Sequence, residues 1–405
     1  MRPYTNDLLS FKFKTVLVDL FEMILIIVVC LSLIIWIFLL LFWGRFWLAN
    51  QRIESNQNSA VYPTVWAIVP ARDEAEAIAV SLTSLLSQNY VGNFFVVLVD
   101  DNSRDRTSEI AQITAQKLNK SEQLKIILGK PLAEGWKGKL WAMQQGIEYA
   151  KQQIPAPDYF LFTDADIQHD LNNLSQLVTK AETEKLDLVS LMVLLRCQSI
   201  WEKLLIPAFV FFFQKLYPFP WVNNQDKSIA AAAGGCILIS SSALAEIGSI
   251  ATIKDALIDD CSLAHVVKSR GKNIWLGLTK STISLRAYND LKTIWDTISR
   301  TAFTQLNYSS LLLIGTVVGM GIVYLAAPIG LIISILTSNW LVVGITSLTW
   351  LLMTIAYSPT IKLYDLSITW AFTLPAIAFL YTLMTIDSAI KYWQGKGGAW
   401  KGRTY

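Results

Sequence analysis

The decapeptide Tyr159–Gln168, YFLFTDADIQ, decides how the rest of the chain reads. Four apolar or aromatic residues and a threonine make a short run suited to burial on both faces of a sheet, and the run breaks at Asp164-Ala165-Asp166. The same order recurs upstream. VWAIVP (Val65–Pro70) runs into Ala71-Arg72-Asp73-Glu74, and FFVVLV (Phe94–Val99) runs into Asp100-Asp101-Asn102-Ser103-Arg104-Asp105. Leu124–Leu128 is a further strand run, and helical patterns fill 75–87, 107–118 and 139–151. Repeated strand-then-helix order predicts an α/β fold: a Rossmann-like, mostly parallel sheet covered by helices on both faces. In such sheets ligands bind at the carboxyl ends of the strands, where these polar residues fall.

Outside this region the composition changes. Of the 405 residues, 53% are hydrophobic and 16% charged, and the excess is concentrated in three places. Met23 to Trp43 is a run of 21 uncharged residues, one bilayer core in length as a helix. It is too long and too far from the N-terminus for a cleaved signal, so 21–43 is expected to be an anchor behind a tail, 1–20. Thr301 to Ile361 carries no charge over 61 residues, enough for two spans turning at Ser338-Asn339, and Leu366 to Ile386 supplies another. The expected organisation is a sheet domain over 60–305 behind the polar linker QRIESNQNSA, membrane helices over 306–390, and a basic tail, 391–405. Trp201–Trp221 is aromatic, with 11 uncharged residues in a row, too short to cross and suited to the membrane interface. A crossing there would also place Asp166 and Asp260 on opposite sides of the bilayer.

The net charge of +3 and the lack of a basic stripe argue against nucleic acid as a partner. Cys30, Cys197, Cys236 and Cys261 show neither disulfide nor metal-ligand spacing, and His169 and His265 are too few for a zinc site.

The chemistry is expected at the strand tips. Asp164 and Asp166, one residue apart after a strand, can hold a hard divalent cation, Mn²⁺ or Mg²⁺, that neutralises a departing diphosphate. A solvated turn is the ordinary reading of such a tripeptide alone. Here, however, carboxylates recur at successive tips and repel one another, so the sheet edge needs a ligand or cation. Lys139, in GWKGKLWAM with Lys137, stands at a helix start, where the helix N-terminus adds positive potential for a phosphate. Further on, Gly234 and Gly235 in AAAGGCILIS suggest close backbone approach. Asp259 and Asp260 in ALIDDCSLA precede a helical run, so one can cap it while the other acts as a base.

The succession VPARDE, VDDNSRD, WKGK, TDAD, GGC, DD resembles family 2 glycosyltransferases of the GT-A fold over 65–300. RCQSIWEKLLIPAFVFFFQKLYPF together with AAAGGC and ALIDDCSLA is similar to the hopene-associated branch of that family, and the tail GGAWKGRTY resembles endings of membrane-bound relatives. The resemblance implies a nucleotide-sugar donor, a UDP-sugar first. Pro70, Ala71, Arg72, Asp73, Glu74 and Asp101 would hold the base and ribose. Asp164 and Asp166 would serve ribose, metal and diphosphate, and Asp260 would deprotonate the acceptor. The Q-x-x-R-W signature of processive synthases is not matched: SRTAF offers Arg300, a candidate for the donor site, without the tryptophan, which argues against polymer synthesis.

The function expected is inverting, metal-dependent transfer of a sugar to a membrane lipid, in hopanoid-related metabolism, with the catalytic domain on the cytoplasmic face of a bacterial inner membrane. The alternatives are an inactive membrane scaffold and a nucleotidyltransferase. Three C-terminal spans would put Lys391, Lys396, Lys401 and Arg403 outside, against the positive-inside tendency, unless one segment is re-entrant.

Overall fold

Alternate residues of the first strand face different sets of helices, which is why the run is apolar throughout. The computed structural model describes the backbone of residues 4–53, 61–395, 399–400 and 403–404, and side chains over 20–53 and 61–395. Strand β1 (Val65–Ala71) is buried at every position. Val65, Ala67 and Val69 share a core with helices α2 (Ile78–Leu86) and α3 (Thr107–Lys117) through Leu82, Leu85 and Ala111. On the other face Trp66 and Ile68 join Leu140, Met143 and Ile147 of α4 (Gly138–Lys151). Gly146 permits that helix to lie close: a Cβ there would stand 2.7 Å from Ile68 Cγ2 and 3.0 Å from Val99 Cγ2.

The other strands of the main sheet are β2 (Phe94–Asp100), β3 (Leu124–Leu128), β4 (Tyr159–Thr163), β5 (Ile167–Gln168), β6 (Leu188–Leu194), β7 (Cys236–Ser240) and β8 (Ile274–Ser284), and Ala399–Trp400 pairs with Arg403–Thr404 in a separate antiparallel ribbon. The main sheet has the order β3-β2-β1-β4-β7-β6-β8-β5. The parallel arrangement read from the sequence holds for β3-β2-β1-β4 and for β6 with β8, while β7 and β5 run antiparallel to their neighbours, so the sheet is mixed. Helix α5 (Asn173–Glu184) packs on the α2–α3 face.

Helix α1 runs Tyr4–Phe42, so the backbone is already helical ahead of the apolar run, through most of the segment expected to be a tail. Helix α6 (Ile200–Leu216) begins at a capping box in which Ser199 accepts from the Glu202 amide and Glu202 from the Ser199 amide, and α7 (Phe219–Val222) follows. Short α8 (Ser241–Glu246), α9 (Asp259–Ser269) and α10 (Leu291–Ser299) complete the sheet domain. Then come α11 (Ser310–Met320) and α12 (Ala326–Leu336), joined by a π turn, α13 (Trp340–Leu363), and α14 (Leu374–Trp393) behind a 3₁₀ segment, Ile368–Thr373.

Among the described residues, four helical segments are long and apolar enough to cross a membrane: Leu20–Phe42, Ser310–Leu336, Trp340–Leu363 and Ile368–Trp393. The turn expected at Ser338-Asn339 separates the second from the third. The fourth differs from a simple span. Asp365, just after α13, pairs with Lys280 of β8 at 2.6 Å, so α13 ends against the sheet domain. Trp350, well inside α13, donates to Phe372 O at 3.1 Å, so the 3₁₀ segment turns back along that helix. At the far end of α14, Asp387 accepts from Trp295 at 2.8 Å and Lys391 pairs with Asp296 at 3.2 Å, both on α10. Both ends of 366–393 therefore rest on the sheet domain, and Lys391 belongs to α14 rather than to a separate tail. Residues 54–60 of the linker and Lys396 and Lys401 of the tail lie outside the described residues.

Helix α6 lies where these parts meet. Phe211 packs on Tyr357 with ring centroids 5.1 Å apart, Phe212 on Tyr324 and Tyr381 at 5.7 and 5.0 Å, and Tyr381 donates to Leu205 O at 2.9 Å. Trp43, at the end of the first apolar helix, donates to Lys215 O at 2.9 Å and stacks edge-on against Trp221.

Candidate active site

The tips of β1 and β2 form a self-contained corner. Arg72 donates to Asp101 O at 2.6 Å and lies 3.5 Å from Asp101 Oδ2, with both residues buried. Asp73 takes a left-handed backbone (φ 53°), and its Oδ1 accepts from the Arg104 amide at 2.7 Å. The amides of Asp73, Glu74 and Ala75 donate to Ser103, Thr107 and Asp105. Asp100 accepts from the Ser103 amide and the Ser108 hydroxyl, which explains it as a turn-former.

Beside this corner is a cavity of about 160 Å³ lined by Pro70 and Glu74, by Lys137, Lys139, Asp164 and Asp166, and by Asp259, Arg286 and Arg300 with their apolar neighbours. Lys139, in the first turn of α4, is its centre. Its Nζ lies 2.9 Å from Asp164 Oδ1 and 3.2 Å from Asp259 Oδ2. Burial alone would lower the Lys139 pKa, but the charges of Asp164 and Asp259 outweigh it and hold the ammonium above its ordinary value. Arg300 is pushed the other way, by burial and by neighbouring Arg286. Lys137, Lys139, Arg286 and Arg300 thus share one cavity with the carboxylates of Glu74, Asp164, Asp166 and Asp259.

Of the residues expected at the donor and metal site, Pro70, Glu74, Lys139, Asp164, Asp166 and Arg300 line this cavity, and Asp259 lines it with them. Ala71, Arg72, Asp73 and Asp101 are not among those lining the cavity and shape its neighbouring corner. Gly234 lies behind Lys139: a Cβ on it would stand 3.3 Å from Lys139 Nζ and 3.4 Å from Asp260 Oδ2. Gly235 faces Val193 and Ile167 instead. Arg286, two residues past β8, went unread in the sequence, although its place after the apolar run of that strand was the available signal.

The acidic pair at the start of α9 is arranged differently from the expectation that Asp259 caps the helix while Asp260 faces the acceptor. Ile258 is the N-cap residue, and Asp259 makes no capping bond but lines the cavity. Asp260 holds the backbone: its Oδ2 accepts from the Gly234 amide and its Oδ1 from the Cys261 amide, each at 2.8 Å. Burial first, and then the charge of Asp259, raises Asp260 to about 6.

A second cavity, of about 680 Å³, adjoins the first and shares Lys137, Ala256, Leu257 and Arg300 with it. From there it extends past Tyr217 and His265 to Phe303, Ser388 and Tyr392, between the sheet domain and the end of α14.

Residues 66–248 match the family model described as glycosyl transferase family 2. Together with the GT-A arrangement of the sheet, this match gives residues 66–248 the character of a family 2 glycosyltransferase domain. Among solved structures it is similar to the mannosyltransferase PcManGT from Pyrobaculum calidifontis, in complex with GDP-Man and Mn²⁺, at 16% identity and TM-score 0.55, over 91% of this chain and 99% of that one. It is more distantly similar to S. aureus TarS (16% identity, TM-score 0.40, 59% of this chain and 39% of that one). A similar distance separates it from glucosyl-3-phosphoglycerate synthase of Mycobacterium tuberculosis (15% identity, TM-score 0.39, 60% of this chain and 79% of that one). No curated protein matches it by sequence.

Proposed function

We propose that the protein transfers a sugar from a nucleotide-sugar donor to a membrane lipid with inversion at the anomeric carbon. The observation that carries this reading is the pairing of the two cavities. The smaller gathers Asp164 and Asp166 with Lys137, Lys139, Arg286 and Arg300, and the larger leads from it to α14, within one of the apolar segments. In the reaction the acceptor hydroxyl attacks the anomeric carbon, its proton passes to a carboxylate, and the bond to the nucleoside diphosphate breaks. Lys139, Lys137, Arg286 and Arg300 take up the charge on the leaving diphosphate.

Asp260 is the base. Its raised pKa suits proton abstraction near neutral pH, whereas Asp259 is already paired with Lys139. The two carboxylates of the β4 turn fit a divalent cation completed by substrate phosphate. Among the described residues no group of three or more His, Cys, Asp or Glu forms a preformed site, and Mg²⁺ or Mn²⁺ with one or two carboxylates needs none. Asp164 and Asp166 would hold that cation, whose chemistry is to neutralise the diphosphate. PcManGT was solved with GDP-Man and Mn²⁺, so GDP- and UDP-sugars both belong in the first trial.

The hopanoid-related acceptor rests on the sequence resemblance over 196–219. The cytoplasmic placement rests on the cytosolic origin of nucleotide sugars. The doubled-back 366–393 segment supports it, because it keeps Lys391 beside the catalytic domain, as the positive-inside tendency asks. In this reading α6 lies at the membrane interface. The test is release of nucleoside diphosphate from a panel of nucleotide sugars with total membrane lipid as acceptor. Release of pyrophosphate instead would mark a nucleotidyltransferase, and no release with any donor would leave the scaffold reading.

A further inference from the structure

Between the Asp164–Asp166 turn and the Gly234–Gly235 loop runs a buried chain of hydrogen bonds, and a group that can only accept fixes its direction. Gly235 O lies 2.9 Å from Thr163 Oγ1, so the threonine hydroxyl donates to it. With its one proton so used, Thr163 Oγ1 accepts from its other close neighbour, His169 Nε2, at 2.9 Å. His169 therefore carries its proton on Nε2, and Nδ1 is left to accept from Asn173 Nδ2 at 3.0 Å. Asn173 Oδ1 accepts from the Thr282 hydroxyl at 3.1 Å. All four side chains are buried, and the His169 amide is tied to Ser84 Oγ on α2 at 2.9 Å.

What the chain joins gives it meaning. Thr163 immediately precedes Asp164. Gly235 immediately follows Gly234, whose amide holds Asp260. Thr282 and Asn173 anchor the far end in β8 and α5. We propose that His169 is a positioning residue for sugar transfer: through Thr163 it locks the carboxylate turn of β4 to the glycine loop that carries Asp260, and so sets the donor against the base. Transfer is sensitive to such placement, since an error of about 1 Å can cost about a hundredfold in rate. The inference rests on the sugar-transfer reading above.

The test uses the full chain and two pairs of variants. Thr163→Val and His169→Leu keep shape but break the chain. Thr163→Ser keeps the hydroxyl, and His169→Gln places an amide N–H where Nε2 stood. The expected result is a fall in kcat of about tenfold or more in the first of each pair, with donor KM changed about threefold or less, and recovery of most of kcat in the second. A merely structural role would lower thermal stability and leave the turnover of folded protein unchanged in Thr163→Val and His169→Leu, and that result overturns the proposal. Nitrogen-15 spectra of histidine-labelled protein add a readout that needs no activity, and with two histidines in the chain the assignment is short. A neutral, Nε2-protonated His169 is expected, and an Nδ1-protonated ring overturns the chain as drawn. Wild-type protein that transfers no sugar while showing the Nε2-protonated ring overturns the functional reading, and the positioning role with it, but leaves the hydrogen bonds standing.

Discussion

Lys139 Nζ and Asp164 Oδ1 lie 2.9 Å apart, joining the first turn of α4 to the turn after β4 across the donor cavity. The ammonium holds the carboxylate in place and also faces the space assigned to diphosphate. Lys139→Met is expected to weaken binding of nucleoside diphosphate about tenfold to a hundredfold, the scale of one lost charge-assisted hydrogen bond. Asp166→Ala is expected to abolish the gain in affinity that Mn²⁺ gives. Calorimetry with and without the cation measures both, and equal affinities in Asp166→Ala and wild type would remove the metal assignment.

Asp260→Asn is expected to lose about a hundredfold or more in turnover, as removal of a general base does, with donor binding little changed. Asp259→Asn is expected to keep substantial turnover, because its structural partner is Lys139 rather than the acceptor. Kinetics on both variants decide the matter. Normal turnover in Asp260→Asn beside a dead Asp259→Asn would pass the role to the residue that lines the cavity.

The same pair predicts a pH profile. Asp260 acts when ionised, so turnover should fall as pH drops through about 6. Asp259 raises that value, so Asp259→Asn should carry the acid limb to lower pH. The linkage to stability has the opposite sign. A carboxyl raised from 3.8 to about 6 favours the folded state when protonated, and that contribution is lost as pH rises across this window. A limb that stays put in Asp259→Asn would refute the coupling.

Gly146→Ala should destabilise the protein by about 1–3 kcal/mol, since the added methyl meets Ile68 and Val99 at or below contact distance. Because α4 carries Lys139, turnover should fall as well. Thermal melts and kinetics check the two effects, and an unchanged melting temperature would mean that the helix is free to lift off the sheet.

The path of 366–393 predicts sidedness. Cysteines introduced at Ser121 in the sheet domain and Gln394 after α14 should react with an impermeant thiol reagent from the same side of sealed vesicles, and one at Ser338 from the other. Labelling of Gln394 together with Ser338 would restore a full fourth crossing.

The first half of the sheet was legible because each of β1, β2 and β4 is an apolar run closed by charged residues, and the same closures mark much of the donor cavity. The second half was not. β7 is only five residues long and follows a run of alanines, and β8 is interrupted at Lys280, so neither announces its pairing. Arg286 escaped with β8. Neither does composition reveal that Ile368–Trp393 turns back, because a re-entrant segment and a span are equally apolar. That distinction rests on Lys280–Asp365 and Lys391–Asp296, pairs distant in sequence. The orientation of the acidic pair was hidden for a related reason: Asp260 is turned by the Gly234 amide, which lies 26 residues away.

The seam between soluble and membrane parts, so plain in hydropathy, is not a fault line in the fold. One continuous core holds Ile68 and Phe162 of the sheet, Phe211 of α6, and Tyr357 and Met384 of the apolar helices. Cutting the chain near residue 305 to obtain a water-soluble enzyme would lay bare α6 and α10 along the faces that now meet α13 and α14. Such a fragment should aggregate, and the whole chain in detergent or lipid is the smallest unit in which to expect a working enzyme.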